Sequence, residues 1–260
     1  MHPDEVRTHA ERLHKAHQTG TSIPPLSADR PDLTVADAYA IQSEFVRLLQ
    51  GGTGRVAGYK LGLTSKPMQD LLGVDQPDFG PVLATMVVPA GQPVDRSRFI
   101  QPKIEAELAL HLGRDLAGPG VTRDQAARAV SGVSVAVEII DSRIEDWKIR
   151  LTDTVADLAS AGAVVVSPAA VPLADVDPRL VGVVVHRNGE LMATGAGAAA
   201  LGDPLEALAW LANTLAAYGE RLEAGRFVMT GSLHAAFPFA AGDRITVATD
   251  RLGDLAVDVA

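Results

Sequence analysis

From residue 76 onward the chain is a succession of short apolar β runs broken by Gly and Pro, and helices do not alternate with them. The candidate strands are 103–112, 133–140, 163–167, 181–187, 226–230 and 244–249. Two helical stretches interrupt them. One is 123–131, opened by Thr122; the other is 204–218, with Pro204 in its first turn and Gly219 just past its end. Parallel strands need a crossover connection, usually a helix, between neighbours. The pattern therefore argues against a doubly wound fold and predicts an α+β chain with a mostly antiparallel or mixed sheet.

The N-terminal part, about 1–55, is helical in pattern. Residues 4–18 place Val6, Ala10, Leu13 and Ala16 at helical spacing. Thr19 to Asp32, with Gly20, Pro24, Pro25 and Pro31, reads as a loop. A second helix starts from Thr34 as N-cap, runs through Ala36, Tyr39, Ile41, Phe45 and Leu49, and stops near Gly51-Gly52. Arg55 to Leu63 reads as a strand and Ser65 to Leu72 as a short helix. The stretch 143–160 is a polar, mixed connection. There is no internal repeat and no flexible linker, so residues 1–260 are expected to form one domain.

Composition narrows the function. At 47% hydrophobic but only 4% aromatic, the chain has material for an aliphatic core and little for stacking on bases. A net charge of -9 disfavours nucleic acid and anionic membranes as partners. With no cysteine, disulfides, thiolate catalysis and Cys-ligated zinc are excluded. The start, Met1-His2-Pro3-Asp4-Glu5, has no apolar signal core, and no apolar run reaches the length of a membrane span. The expected location is cytoplasmic. Gly195-Ala196-Gly197 lacks the strand–turn–helix setting of a dinucleotide fingerprint, and neither a phosphate loop nor a GxSxG elbow occurs.

Glu105 and Glu107 stand one residue apart in the run Lys103-Ile104-Glu105-Ala106-Glu107-Leu108, so on a strand both point the same way. Glu138 lies in a second apolar run, Val135-Ala136-Val137-Glu138-Ile139-Ile140, where a lone carboxylate is costly to bury. Three such acids point to a hard divalent cation held by oxygen. The alternative is a solvated strand face. Lys60, flanked by Gly58 and Gly62, is a candidate anion-binding or acid–base group; its alternative is a surface lysine snorkelling from a strand edge. Asp78, in Gln76-Pro77-Asp78-Phe79-Gly80, reads first as turn chemistry. Asp141-Ser142-Arg143 is either a supporting network behind Glu138 or a strand-end turn. Asp153, Thr154, Asp157 and Ser160 read as capping residues. No histidines pair at metal-ligand spacing, and His186 and His234 stand alone.

Together these segments resemble the 2-hydroxypenta-2,4-dienoate (2-keto-4-pentenoate) hydratases and 4-oxalocrotonate decarboxylases of the fumarylacetoacetate hydrolase superfamily. The resemblance runs through Asp37-Ala38-Tyr39-Ala40-Ile41-Gln42, Lys60-Leu61-Gly62-Leu63-Thr64-Ser65-Lys66 and Gly73-Val74-Asp75-Gln76-Pro77-Asp78-Phe79-Gly80. It continues in Gln101-Pro102-Lys103-Ile104-Glu105-Ala106-Glu107, Val137-Glu138-Ile139-Ile140-Asp141-Ser142-Arg143, Asp153-Thr154-Val155-Ala156-Asp157, Gly195 to Gly202 and Thr230-Gly231-Ser232. It implies a mixed β-roll of the fumarylacetoacetate hydrolase type with a helical N-terminal part. It implies Mg²⁺ or Mn²⁺ on Glu105, Glu107 and Glu138, with Lys60 and Asp78 catalytic and Leu61, Ser160 and Thr230 beside the substrate.

The implied substrate is a small 2-oxo acid or 2-hydroxydienoate of meta-cleavage aromatic catabolism. The implied assembly is a homo-oligomer, with room for a complex with a downstream aldolase or a partner hydratase or decarboxylase. Gln76-Pro77-Asp78-Phe79-Gly80 looks like the hydratases, whereas decarboxylases more often carry Pro-Ile-Tyr-Gly there. A hydratase is therefore the expected activity, with 4-oxalocrotonate decarboxylation as the alternative. Leu158, where an Asn is usual, and Thr85, where an Asp is common, depart from the pattern. The first motivates a further alternative, a non-catalytic subunit that stabilises a partner enzyme.

Overall fold

Polar caps set where the helices begin. In the computed structural model, which describes residues 1–51 and 54–260, α1 (Pro3–Thr19), α2 (Leu26–Asp29) and α3 (Val35–Gln50) form the N-terminal part. Thr34 caps α3 reciprocally with Asp37: each side chain accepts the other's backbone N–H, both at 3.2 Å. Gly51 ends the helix in the left-handed conformation; Gly52, the second glycine of the expected stop, lies outside the described residues. The buried stripe Ala38, Ile41 and Phe45 of α3 packs on Ala10 and Leu13 of α1. α2 sits inside the stretch that read as loop, too short for its periodicity to register.

The strands and remaining helices follow as β1 (Val56–Gly62), α4 (Lys66–Leu72), β2 (Asp78–Leu83), β3 (Lys103–Leu112), α5 (Arg123–Ala129), β4 (Val130–Ile140), α6 (Leu151–Ala156) and β5 (Ala161–Val166). They continue with β6 (Gly182–Arg187), β7 (Glu190–Ala196), α7 (Pro204–Ala216), β8 (Phe227–Met229), β9 (Phe237–Pro238), β10 (Arg244–Thr249) and β11 (Leu255–Asp258). One sheet runs β2-β1-β8-β3-β4-β5, with β9 beside β3; the other runs β11-β10-β6-β7. The β1–β8 pair is parallel and its neighbours are antiparallel, so the larger sheet is mixed, as the missing crossover helices predicted.

The β3–β4 pair carries the site. In β3 the even-numbered residues Ile104, Ala106 and Leu108 are buried, and Ile104 and Ala106 meet Val185, Ile245 and Val247 of the second sheet. Its odd-numbered residues point the other way. Both faces are covered, which is why the strands read as nearly continuous apolar runs.

Three expectations need correction. Pro77-Asp78-Phe79-Gly80 is not a turn: Asp78 opens β2, whose six residues are all buried against β1. The connection 143–160 is not an irregular polar link but holds α6 and two short helical turns. Strands β7, β9 and β11 went unread. β7 is mostly solvent-facing and so lacks apolar alternation, although the Asn188-Gly189 turn before it, with both residues at positive φ, is a hairpin signal. Among the described residues no helix is long and apolar enough to cross a membrane.

Candidate functional site

Antiparallel register sets Glu105 directly opposite Glu138, and Glu107 opposite Ala136. All three carboxylates therefore project from one face, and one oxygen of each lies within 4.8 Å of the others. Glu107 and Glu138 are fully buried, while Glu105 keeps some exposure and forms the open side of the cluster. The solvated-face alternative is thus excluded.

Glu107 Oε2 accepts the N–H of Gly231 at 2.9 Å. Glu107 Oε1 and both oxygens of Glu138 are buried with no hydrogen-bond partner. Burial, then the charge of Glu138, pushes Glu105 up to about 7. Burial and the same like charges raise Glu107 well above the carboxylate range, and burial raises Glu138 despite the opposing Lys60. Orphaned, mutually repelling oxygens in a dry setting fit a hard dication, which would satisfy the lone pairs and cancel the repulsion together.

Lys60, on β1, faces this cluster. It is buried; its Nζ lies 3.4 Å from Glu138 Oε1 and donates to Ala159 O at 2.8 Å. Snorkelling is therefore excluded. Burial alone would lower its pKa, but Glu138, Asp78, Glu107 and Glu105 outweigh that and raise it. Lys60 is thus a held cation in the metal-free protein.

Asp78 pairs with Gly62 across β1–β2, and a Cβ on Gly62 would run into Asp78 Oδ1 while lying 3.4 Å from Lys60 Nζ. Only glycine permits this approach. Asp78 Oδ1 is also buried without a partner, and burial raises its pKa against the pull of Lys60.

Behind Lys60, Leu158, Ala159 and Ser160 are three consecutive non-glycine residues in the left-handed region, at φ 59°, 51° and 56°. Each costs about 1–2 kcal/mol, so the surrounding structure must hold them there. Leu158 is fully buried, its carbonyl against Gly80, and Ser160 Oγ lies 3.2 Å from Thr154 Oγ1. Asp157 and Asp153 are more than caps. Asp157 is fully buried and paired with Arg143, and Asp153 accepts from Ser27 N and Oγ at 2.8 and 2.6 Å besides capping α6 at Arg150. Asp141 accepts from the backbone of Ile100 and Gln101, which makes it a support. Leu61 is buried and points away from the Lys60 face, and Thr230 is fully buried with its hydroxyl on Leu108 O at 3.3 Å. The Gly231 amide and Gln42, which holds the Phe79 and Val155 carbonyls, were not singled out as site residues from the sequence, and Arg143 was read there only as part of a supporting network or a strand-end turn. For Gly231 the glycine itself was the available signal.

Residues 57–260 match the family described as fumarylacetoacetate (FAA) hydrolase C-terminal. A 2-hydroxyhexa-2,4-dienoate hydratase of Comamonas testosteroni is 41% identical over 254 residues, which cover 97% of this chain and 96% of that protein. A 4-oxalocrotonate decarboxylase of Pseudomonas sp. (strain CF600) is 43% identical over 244 residues, 94% of this chain and 92% of that protein. A solved 4-oxalocrotonate decarboxylase from Pseudomonas putida G7, complexed with magnesium and adipate, superposes with a TM-score of 0.97 at 39% identity, covering 100% of this chain and 99% of that one.

Proposed function

This chain belongs to the fumarylacetoacetate hydrolase family, and on that premise we propose that it is a metal-dependent lyase that adds water to a 2-hydroxy-2,4-dienoate. The observation that carries the reading is the buried carboxylate trio, with unpartnered oxygens, set against a lysine and an aspartate of raised pKa. Glu105, Glu107 and Glu138 would hold Mg²⁺ or Mn²⁺. Bound there, the ion supplies a Lewis acid for the carboxylate and 2-oxygen of the substrate.

The chain's own groups account for the protons. Ketonisation moves the 2-hydroxyl proton away and places one on C5, leaving a conjugated 2-oxo acid that is electrophilic at C4. Water then bonds through oxygen to C4, and its other proton ends on C3, giving a 4-hydroxy-2-oxo acid. Lys60 is the proton-bearing group beside the trio, and the carboxylate charges that hold its proton are those a bound cation would cancel; Asp78, with a free buried oxygen, is suited to accept a proton from water. Leu158 and Thr154 are buried beside these groups and exclude bulk water. Ser160 lies beside Thr154 at the same end.

Leu158 takes part through its backbone and its packing, so the absence of a polar side chain there leaves the acid–base groups intact. This favours an enzyme over a non-catalytic subunit. Decarboxylation of 4-oxalocrotonate is kept as a second reading, because the solved decarboxylase matches the whole chain. The reading also includes assembly with copies of the same chain, which light scattering measures. The test incubates the pure protein with Mg²⁺ and 2-hydroxypentadienoate and follows loss of dienol absorbance. A parallel incubation with 4-oxalocrotonate traps carbon dioxide. Hydration is expected in the first; gas release without hydration selects the second reading, and no metal-dependent turnover of either rejects both.

A further inference from the structure

Arg143 is the largest side chain that is fully buried, and the reaction drawn above gives it nothing to do. Its Nε donates to Asp157 Oδ1 and its backbone N–H to Asp157 Oδ2 at 2.8 Å. Its Nη2 donates to the Asp157 carbonyl at 2.9 Å, and Nη1 and Nη2 both reach the Ala161 carbonyl, at 3.1 and 3.0 Å. Arg143 thus grips the chain on both sides of Leu158–Ala159–Ser160, the left-handed segment. The backbone closes the same frame: Ser160 N–H donates to Asp157 O at 2.9 Å and Asp141 N–H to Ser160 O at 2.8 Å. One carbonyl of the segment is left for a side chain outside the frame, that of Ala159, and it receives Lys60 Nζ at 2.8 Å.

We infer that Arg143 and Asp157 are positioning residues: they hold Leu158–Ser160 left-handed so that the Ala159 carbonyl aims the Lys60 ammonium at the Glu138 carboxylate. The inference rests on the reading of Lys60 as the acid–base group. A planar fork is needed because two carbonyls and a carboxylate are bridged at once, which a lysine ammonium cannot do. Without the fork only the backbone bonds at Ser160 oppose relief of the strain, and the carbonyl swings away.

The variant to measure is Arg143→Lys, which keeps the buried charge and removes the fork. Displacement of a reacting group by about 1 Å can cost about 10²-fold in rate, so kcat should fall by at least tenfold. KM and Mn²⁺ affinity should stay near wild type, while loss of the fork's bonds to buried carbonyls lowers the melting temperature. In Arg143→Ala, guanidinium ion at low millimolar concentration should restore part of kcat, which a merely destabilised protein would not show. Independently of activity, the Lys60 ¹³Cε resonance in lysine-labelled protein, assigned with Lys60→Arg, should shift in Arg143→Lys. Should Arg143→Lys not fold, Asp157→Asn keeps the shape and removes the charge that the guanidinium grips, and should show the same loss and the same shift. An unchanged kcat with an unchanged resonance overturns the inference, as does a parallel loss of kcat, substrate affinity and metal affinity without guanidinium rescue. If the wild type turns over no dienoate, the proposed function falls, while the resonance still decides whether Arg143 positions Lys60.

Discussion

Replacing Glu105 with Gln should make the metal-free protein more stable at alkaline pH and worse at holding a metal. In the folded chain Glu105 keeps its proton up to about 7, against an ordinary value of 4.5. Between those values the folded state binds more protons than the unfolded one. Its contribution to stability is therefore complete below pH 4.5 and is lost as pH rises through 7. A rise of that size corresponds to at most about 3 kcal/mol, and because Glu105 keeps some exposure about 1–2 kcal/mol is the better expectation. The Gln side chain carries no charge to repel Glu138, so Glu105→Gln escapes this loss. In chelator, urea unfolding at pH 8 should give the variant an advantage of about 1–2 kcal/mol, shrinking towards zero at pH 5. With Mn²⁺ in excess the order should reverse, because metal binding to the native state stabilises the wild type more. The reasoning is refuted if, in chelator, the variant is no more stable at pH 8 and its pH slope matches the wild type.

Mn²⁺ binding should release protons below pH 7, with the dissociation constant rising about tenfold per pH unit for each proton displaced; calorimetry in buffers of different ionisation enthalpy measures this, and zero release at pH 6.5 would count against the trio as ligands. Lys60→Met should cut kcat by about 10²–10⁴-fold and destabilise the chelated protein by about 3–5 kcal/mol at pH 8, with less damage at pH 5, where protonated acids no longer need the cation; activity within tenfold of wild type rules out the proposed role. Gly231→Ala places a Cβ against the Thr64 side chain at a φ of 107° and should pull the amide off Glu107 Oε2. Titration with Mn²⁺ should show at least about tenfold weaker binding, given that one supporting hydrogen bond of a ligand is lost. Thr34→Ala removes the α3 cap far from the site; thermal unfolding should report a loss of about 1 kcal/mol with kcat unchanged.

The carboxylate face was legible because a strand's side-chain alternation is local. Reading Glu105 and Glu107 onto one face needs only the spacing of two. The helix caps at Thr34 and Thr122 were legible for the same reason, since their partners Asp37 and Gln125 lie three residues away. Strand β2 was misread because Pro-Asp-x-Gly suits a turn locally, and pairing with β1 overrides it. The polar run 143–160 looked like surface because Arg143, Asp153 and Asp157 are charged. The partners that let them be buried sit 14 to 126 residues away along the chain.

What periodicity and turn chemistry dictated, reading residue by residue, was an α+β chain with a mostly antiparallel or mixed sheet, two acids aimed alike from one apolar strand and a third acid in another; that the third joins them was decided by the β3–β4 register. Where Lys60 would stand followed from the path of the whole chain. β1 reaches β3 only because β8, more than 160 residues later, slots between them, and the 158–160 segment then folds back to meet the lysine. Alternation and capping are properties of adjacent residues, whereas the charge around Lys60 is a sum over groups that are neighbours only after folding.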